Sequence, residues 1–216
     1  MTKAEAREKF QSKVYAALGL DAAGWNDGEI LNFIELATMN IVQELSLAEA
    51  FDLISNIVKT STEITLTDNT VTIPNEYSAL LSGGGITNYL YYVRSRCRVE
   101  KTTTYVMGEF IQAHEAEFFY ETPTHKPFFR KPKVYIQGGA AATEVRVITD
   151  DTTRTPLDRI WITYVQKPTF AALDGVDSNA EDDVITNVNI SLHEKILETA
   201  VVMATESILK TERSSQ

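Results

Sequence analysis

Cysteine is almost absent from this chain of 216 residues. Cys97 stands alone, which excludes an internal disulfide framework and fits a reducing compartment. Histidine is scarce as well. His193-Glu194 and His114-Glu115 each look like the opening of a zinc-protease helix, but that motif needs a second histidine four residues on. Those positions hold Leu197 and Phe118, and the third histidine, His125, is not four residues from either. No apolar run reaches the ~18 residues of a membrane-spanning helix, so none is expected. The stretch from Met1 to Lys13 is charged and lacks an apolar export core, so no leader is expected.

Other chemistry-bearing patterns are missing too. There is no nucleophile elbow and no cysteine-protease signature. Ser82-Gly-Gly-Gly85 lacks the lysine and spacing of a phosphate loop and reads as a flexible joint. Asp174, Asp177, Asn179, Glu181, Asp182 and Asp183 do not follow the ligand order of a calcium-binding hand and read as a solvated acidic loop. The expectation is a protein that is not an enzyme and holds no metal or cofactor.

Positive charge is also in deficit, with 20 basic against 30 acidic residues and a net charge of -10. The imbalance is uneven. Residues 1–60 carry 5 basic and 9 acidic side chains, residues 61–170 carry 12 of each, and residues 171–216 carry 3 and 9. Tight nucleic-acid binding draws on the neutralisation of phosphates, so the chain as a whole is ill suited to it.

Helical signals open the sequence. Thr2 and Glu5 have the spacing of a capping box, and Ala6, Phe10, Val14 and Leu18 follow on one face. Asn26 to Glu29 can start a second helix, whose apolar set around Ile30, Ile34 and Ile41 is broad enough to be buried on two sides. Ala48 to Val58 keeps the helical rhythm. Glu63 to Pro74 then alternates and reads as a hairpin turning at Asp68-Asn69, with Leu66 opposite Val71 and Ile64 opposite Ile73.

From Asn88 to Lys101 the alternation puts Tyr91, Val93, Ser95, Cys97 and Val99 on one face. Tyr92, Arg94, Arg96 and Arg98 fall on the other, so Cys97 reads as a buried structural thiol. Residues 105–119 read as a helix, weakened by Gly108. Short strands follow at Val134–Ile136, Glu144–Ile148 and Asp158–Val165. Ser191 and Glu194 form a second capping-box spacing, and a helix over 191–210 buries a stripe of Leu192, Ile196, Ala200, Ala204 and Ile208.

These readings give an α+β fold: a helical bundle, made of N-terminal helices plus a C-terminal helix, with an inserted antiparallel β region. The expected organisation is one domain over 1–216: helical 1–60, a β-rich insertion with one helix over 61–170, an acidic linker over 171–190, and a helix over 191–210.

The basic residues of the centre are the candidate site. Arg94, Arg96 and Arg98 line one strand face, and Arg130, Lys131 and Lys133 cluster with Lys126 near Phe128 and Phe129. Three readings stand: internal pairing with the region's own acids, pairing with an acidic surface of another copy or partner, or a nucleic-acid patch.

The passage Pro127-Phe-Phe, Val134-Tyr-Ile, Glu144-Val-Arg-Val-Ile148 and Ile160-Trp-Ile-Thr-Tyr-Val-Gln-Lys-Pro168 ends in a Tyr-x-x-Lys-Pro strand. An acidic stretch and Leu192-His-Glu-Lys-Ile-Leu-Glu-Thr-Ala200-x-x-x-Ala204 follow. This order resembles the head-to-tail connector (adaptor or ring) proteins of short-tailed bacteriophages, crAss-like phages in particular. The resemblance implies a structural virion protein, assembled in the host cytoplasm. It implies a homo-oligomeric ring, usually twelvefold, that contacts the portal or other ring and tail proteins. DNA passes through such a ring without specific binding, and no membrane or enzymatic residue is involved. A head-to-tail ring needs two different complementary surfaces. The expected assembly residues are Arg94, Arg96, Arg98, Arg130, Lys131 and Lys133 on the basic side, and Asp182, Asp183, Glu198 and Glu206 on the acidic side.

Overall fold

A computed structural model describes residues 1–19, 25–68, 75–86, 88–121, 127, 131–138, 143–150, 156–170 and 186–214. In chain order the elements are α1 (Lys3–Leu18), α2 (Asp27–Leu47), β1 (Val58–Thr60), β2 (Ile64–Thr65), β3 (Thr67–Asp68), β4 (Glu76–Leu80), β5 (Tyr89–Val99) and β6 (Tyr105–Phe110). Then come α3 (Ala116–Glu121), β7 (Lys133–Gly138), β8 (Thr143–Ile148), β9 (Leu157–Gln166) and α4 (His193–Ser214). The chain divides into two compact units, one of residues 1–57 with 167–216 and one of residues 58–166.

In the helical unit both N-terminal caps form as their spacing predicts. Thr2 accepts from the Glu5 amide at 3.2 Å while the Glu5 carboxylate accepts from the Thr2 amide at 3.0 Å. Asn26 and Glu29 repeat the arrangement at 2.9 Å in both directions. Two orphan amides are satisfied at each helix start. Gly19, at φ 63, closes α1 by donating to the Tyr15 carbonyl at 2.8 Å, a backbone position that suits glycine.

Helix α4 packs on both α1 and α2. Its Ile196, Leu197, Ala200 and Ala204 are fully buried, as are Ala6 and Phe10 of α1 and Ile30 and Ile34 of α2. The broad apolar face of α4 is therefore covered by the chain's own helices. Exposed ion pairs flank the seam, Lys13 to Glu194 at 2.8 Å and Lys195 to Glu44 at 3.4 Å. Such pairs contribute little each and mainly set alignment.

Three helical expectations shift. Phe51–Ile57 is a 3-10 turn broken at Ile54 rather than a third α-helix. The start of α4 is set by Asn189, whose side chain accepts from the Ser191 amide at 3.1 Å, so Ser191 does not cap it. The helix runs to Ser214, four residues beyond the expected end. No helix among the described residues is long and apolar enough to cross a membrane.

The second unit overturns the expected fold class. The chain is a mixed α/β protein with a large curled sheet, not a helical bundle carrying a β insertion. Among the described residues nine strands form one sheet, in the order β1-β9-β5-β6-β7-β8-β4-β3, with β2 also on β9. β6 and β7 pair in parallel; the other described pairs are antiparallel. The sheet curls until distant strands meet. Leu157 of β9 donates its amide to the Tyr77 hydroxyl of β4 at 3.2 Å, and one core gathers Ile64, Tyr77, Cys97, Val106, Val134, Val145 and Ile160.

The difference lies in residues 105–110. Val106 and Phe110 stand four apart, which mimics a helix, but the segment is strand β6 with Val106 buried between exposed Tyr105 and Met107. Only α3 remains of the expected helix. β6 is the link in the sheet: it joins β5 on one side and β7 on the other. Without it the strands would fall into two smaller sets. Gly108 permits the junction. A β-carbon there would collide with Ser95 of β5 and Val134 of β7.

The expected hairpin is also corrected. Thr67 pairs with Ser78 and Asp68 with Tyr77, so Asp68 is a paired strand residue and Asp68-Asn69 is not the turn. Val71 and Ile73 lie outside the described residues. Ile64 and Thr65 pair instead with Ile160 and Arg159 of β9.

Candidate functional site

Strand β5 is the backbone of the site. Its pairing with β9 slips between Tyr92 and Arg94, a bulge that inserts one residue. The slip reverses the alternation upstream, so Tyr92 packs against the core, contrary to its expected place with the arginines. Its hydroxyl donates to Ser95 Oγ at 2.8 Å, and burial pushes its pKa up to about 12. Downstream the alternation is regular. Ser95 and Cys97 are buried while Arg94 and Arg96 are exposed. Cys97 is fully buried in the core, and that burial raises its thiol to about 12, which disfavours the reactive thiolate.

Strand register assembles the outer face in two adjacent rows. Thr60 of β1, Thr163 of β9 and Arg94 of β5 are cross-strand partners, and the two threonine hydroxyls lie 3.1 Å apart. Trp161 of β9, Arg96 of β5 and Met107 of β6 form the next row. The Arg96 guanidinium lies 5.0 Å from the Trp161 ring centre and 5.4 Å from that of Tyr105. Those two rings meet edge to face at 5.6 Å. Thr60, Arg94, Ser95, Arg96, Met107, Trp161 and Thr163 line an open groove of about 310 Å³, with Tyr105 beside it against Arg96 and Trp161. Cation–π contact holds the Arg96 side chain in place without using its N–H donors.

Arg98, one step along the strand, belongs to a different set. It forms a two-pronged pair with Asp158, Nε to Oδ1 at 3.0 Å and Nη2 to Oδ2 at 2.7 Å. The hydrogen bonds from Arg98 hold the Asp158 carboxyl below the usual carboxylate range. Lys133 pairs with Glu109 at 2.7 Å and lies over the Phe119 ring. Glu198 pairs with Lys13 at 3.3 Å, and Glu206 with Lys210 at 3.9 Å within α4. Lys131 is exposed. Arg130, Asp182 and Asp183 lie outside the described residues, as do Lys126, Phe128 and Phe129. Of the expected basic residues the structure brings together Arg94 and Arg96, and engages Arg98 and Lys133 elsewhere. Among the described residues no carboxylate pairs with Arg94 or Arg96.

Trp161, Tyr105, Met107, Thr60 and Thr163 were not among the expected site residues. Their places depend on β5 lying between β9 and β6, a pairing of segments more than sixty residues apart in one case. The alternation of β9 puts Trp161, Thr163 and Arg159 on one face, and that was the available signal.

His193 is a helix-start residue with two neighbours of its own. It is buried, with Nδ1 2.8 Å from the Met1 amine and Nε2 3.1 Å from the Val188 carbonyl. Burial, and then the adjacent amine charge, lower its pKa from the ordinary 6.5. The imidazolium is thus disfavoured in the folded state, and the unfolded chain binds the proton more readily. Stability from this group is complete above about pH 6.5 and falls as pH drops through the window below it. The melting temperature is expected to decline between about pH 7 and 5 more steeply in the wild type than in His193→Gln. Equal slopes would assign the decline to carboxylates instead.

A second cluster lies across the same unit. Glu76 of β4 is fully buried and accepts from Arg146 Nη1 at 2.8 Å, from the Tyr135 hydroxyl at 3.1 Å and from the Tyr120 hydroxyl. Desolvation and the Glu76 contact raise the Tyr120 pKa. Every acceptor here is occupied by a protein donor, so the cluster is a tether between the sheet and α3. Among the described residues no group of three histidine, cysteine or acidic side chains is placed to hold a metal ion.

Among the described residues, the two-row groove around Arg94 and Arg96 combines exposed arginines that have no carboxylate partner with a tryptophan ring and an exposed methionine. A comparison with protein families finds no match for the chain, and no curated protein is significantly similar to it.

Proposed function

We propose that this chain is a structural subunit of a homo-oligomeric ring of the phage head-to-tail connector type, stacked with the portal or other tail rings and traversed by DNA. The observation that carries the reading is the state of Arg94 and Arg96. Other basic side chains of the sheet unit, Arg98, Lys133, Arg146 and Arg159, have acidic partners on this chain. Internal pairing accounts for them, whereas among the described residues Arg94 and Arg96, like exposed Lys59 and Lys131, have no acidic partner, and these two arginines stand side by side on one strand face. They sit on a rigid sheet face beside exposed Tyr105 and Met107. Aromatic, methionine and arginine side chains are the types enriched where protein surfaces meet.

A heterologous contact between identical subunits closes into a ring when its rotation closes. A chain with a basic central face and an acidic C-terminal segment carries the two unlike surfaces such a contact needs. The acidic excess suits a conduit that lets a polyanion slide. Mass photometry across a concentration series, with electron-microscopic class averages, tests the reading. Closed particles with rotational symmetry are expected; a monomer at every concentration or open filaments would argue against it.

A further inference from the structure

We infer that the Arg94–Arg96 groove is the socket for a carboxylate-rich segment of a second copy of this chain, the stretch bearing Asp174, Asp177, Glu181, Asp182 and Asp183. The inference rests on the assembly reading above and names the partner of the site. Spacing supports it first. Arg94 and Arg96 are two residues apart on a regular part of β5, between the Thr163 and Trp161 pairings, so they repeat at ~6.7 Å along one face. Carboxylates two residues apart in an extended peptide repeat at the same interval, as Glu181 and Asp183 would when bound alongside.

Charge supports it next. The acidic stretch has no lysine or arginine from Ala171 to Ile185, and the groove holds two arginines without a described carboxylate partner. Stacking on Trp161 and Tyr105 fixes the Arg96 guanidinium beforehand, which lowers the entropy lost when it binds a carboxylate. The hydroxyls of Thr60 and Thr163 stand beside Arg94 as further polar partners.

Single-stranded nucleic acid is the competing occupant, since arginines beside aromatic rings can also serve phosphates and bases. Two features disfavour it. The guanidinium of Arg96 already lies over both rings, in the place a base would take. The chain's net charge of -10 opposes a polyanion, and two arginines neutralise few phosphates.

The test is a charge exchange. One variant of the full chain carries Arg94→Glu and Arg96→Glu, the other Glu181→Lys and Asp183→Lys. All four positions are changed to residues with an opposite charge, and melting curves check that each variant folds. Each variant alone is expected to lose self-association. An equimolar mixture should regain it, because each groove then meets a segment of opposite sign on the other copy. Association of either variant at the wild-type level overturns the inference and leaves the ring reading intact, as does a mixture that fails to recover.

A second arm reads the groove even if the wild type does not assemble. A fluorescein-labelled peptide of residues 174–184 should bind the wild-type chain by anisotropy and bind Arg94→Glu/Arg96→Glu about tenfold more weakly or less. Equal binding to both would overturn the socket. A single-stranded oligonucleotide that binds the wild type better than the peptide, and is released by the same substitutions, would overturn it in favour of nucleic acid.

Discussion

Glu76→Gln is expected to lower folding stability by about 3 kcal/mol, toward the lower end of the cost of breaking a buried ion pair. Glu76 is fully buried in β4, and its two oxygens accept from Arg146, Tyr135 and Tyr120. Glutamine keeps the shape but removes the charge and offers a single acceptor oxygen. Arg146 then faces a neutral neighbour, and one tyrosine hydroxyl loses its acceptor. The loss is moderated because Arg146 also reaches Glu144 at 3.1 Å, at the edge of solvent. Urea unfolding with an unchanged m-value would report the stability change.

The same cluster makes a sharper statement through coupling. In Glu76→Gln/Arg146→Met the second change removes the charge that the first leaves uncompensated. The double variant should therefore be less destabilised than the sum of the two singles, by about 1 kcal/mol or more. Strict additivity would mean that Glu76 is buried for some other reason. Tyr120 is the contact from α3 into this cluster, so amide exchange within residues 116–121 should rise in Glu76→Gln before it rises in β9.

Gly108→Ala is the second large effect, and its sign discriminates between two folds. In a solvent-exposed helix the change would stabilise by about 1 kcal/mol. In β6 the new methyl group meets Ser95 of β5 and Val134 of β7. Overpacking of that kind costs about 1–3 kcal/mol, and Gly108→Val should cost more. Val134→Ala opens space on one side, so combining it with Gly108→Ala should recover part of the loss despite the cavity cost of the valine change on its own. A Gly108→Ala variant that melts higher than the wild type would refute the strand placement and with it the continuity of the sheet.

The contrast between these residues shows what was legible in the chain before its fold was known. The starts of α1 and α2 are local chemistry: a hydroxyl or amide, a glutamate three residues on, and an apolar stripe. Each cap lies within one turn, and each is realised. The buried alternation of Ser95 and Cys97 is likewise local. Residues 105–110 were misread because a four-residue spacing of Val106 and Phe110 fits a helix as well as a strand, and only the long-range partners Arg96 and Lys133 decide. Glu76 carries no local mark at all. Its acceptors are filled by residues from 44 to 70 positions away. The groove lies between these cases. Its arginines were visible as an alternating set, while the bulge at Tyr92 and the bracket of Trp161 and Tyr105 arise from sheet order.

Sheet order also changes the meaning of the basic centre. Twelve basic and twelve acidic residues over 61–170 looked balanced on paper. In the fold the balance is spent locally at Arg98, Lys133, Arg146 and Arg159, and Arg94 and Arg96 are left facing outward with Met107 and Tyr105. That local surplus is what the proposed assembly contact would draw on, on a chain whose overall charge is negative.

A density map of particles formed by this chain separates a DNA-conducting ring from other assemblies. A closed ring of copies on the DNA axis is expected, with Arg94 and Arg96 of each copy facing the acidic segment of its neighbour. Copies placed off that axis, or a ring in which the groove between Arg94 and Trp161 opens onto solvent, would contradict it.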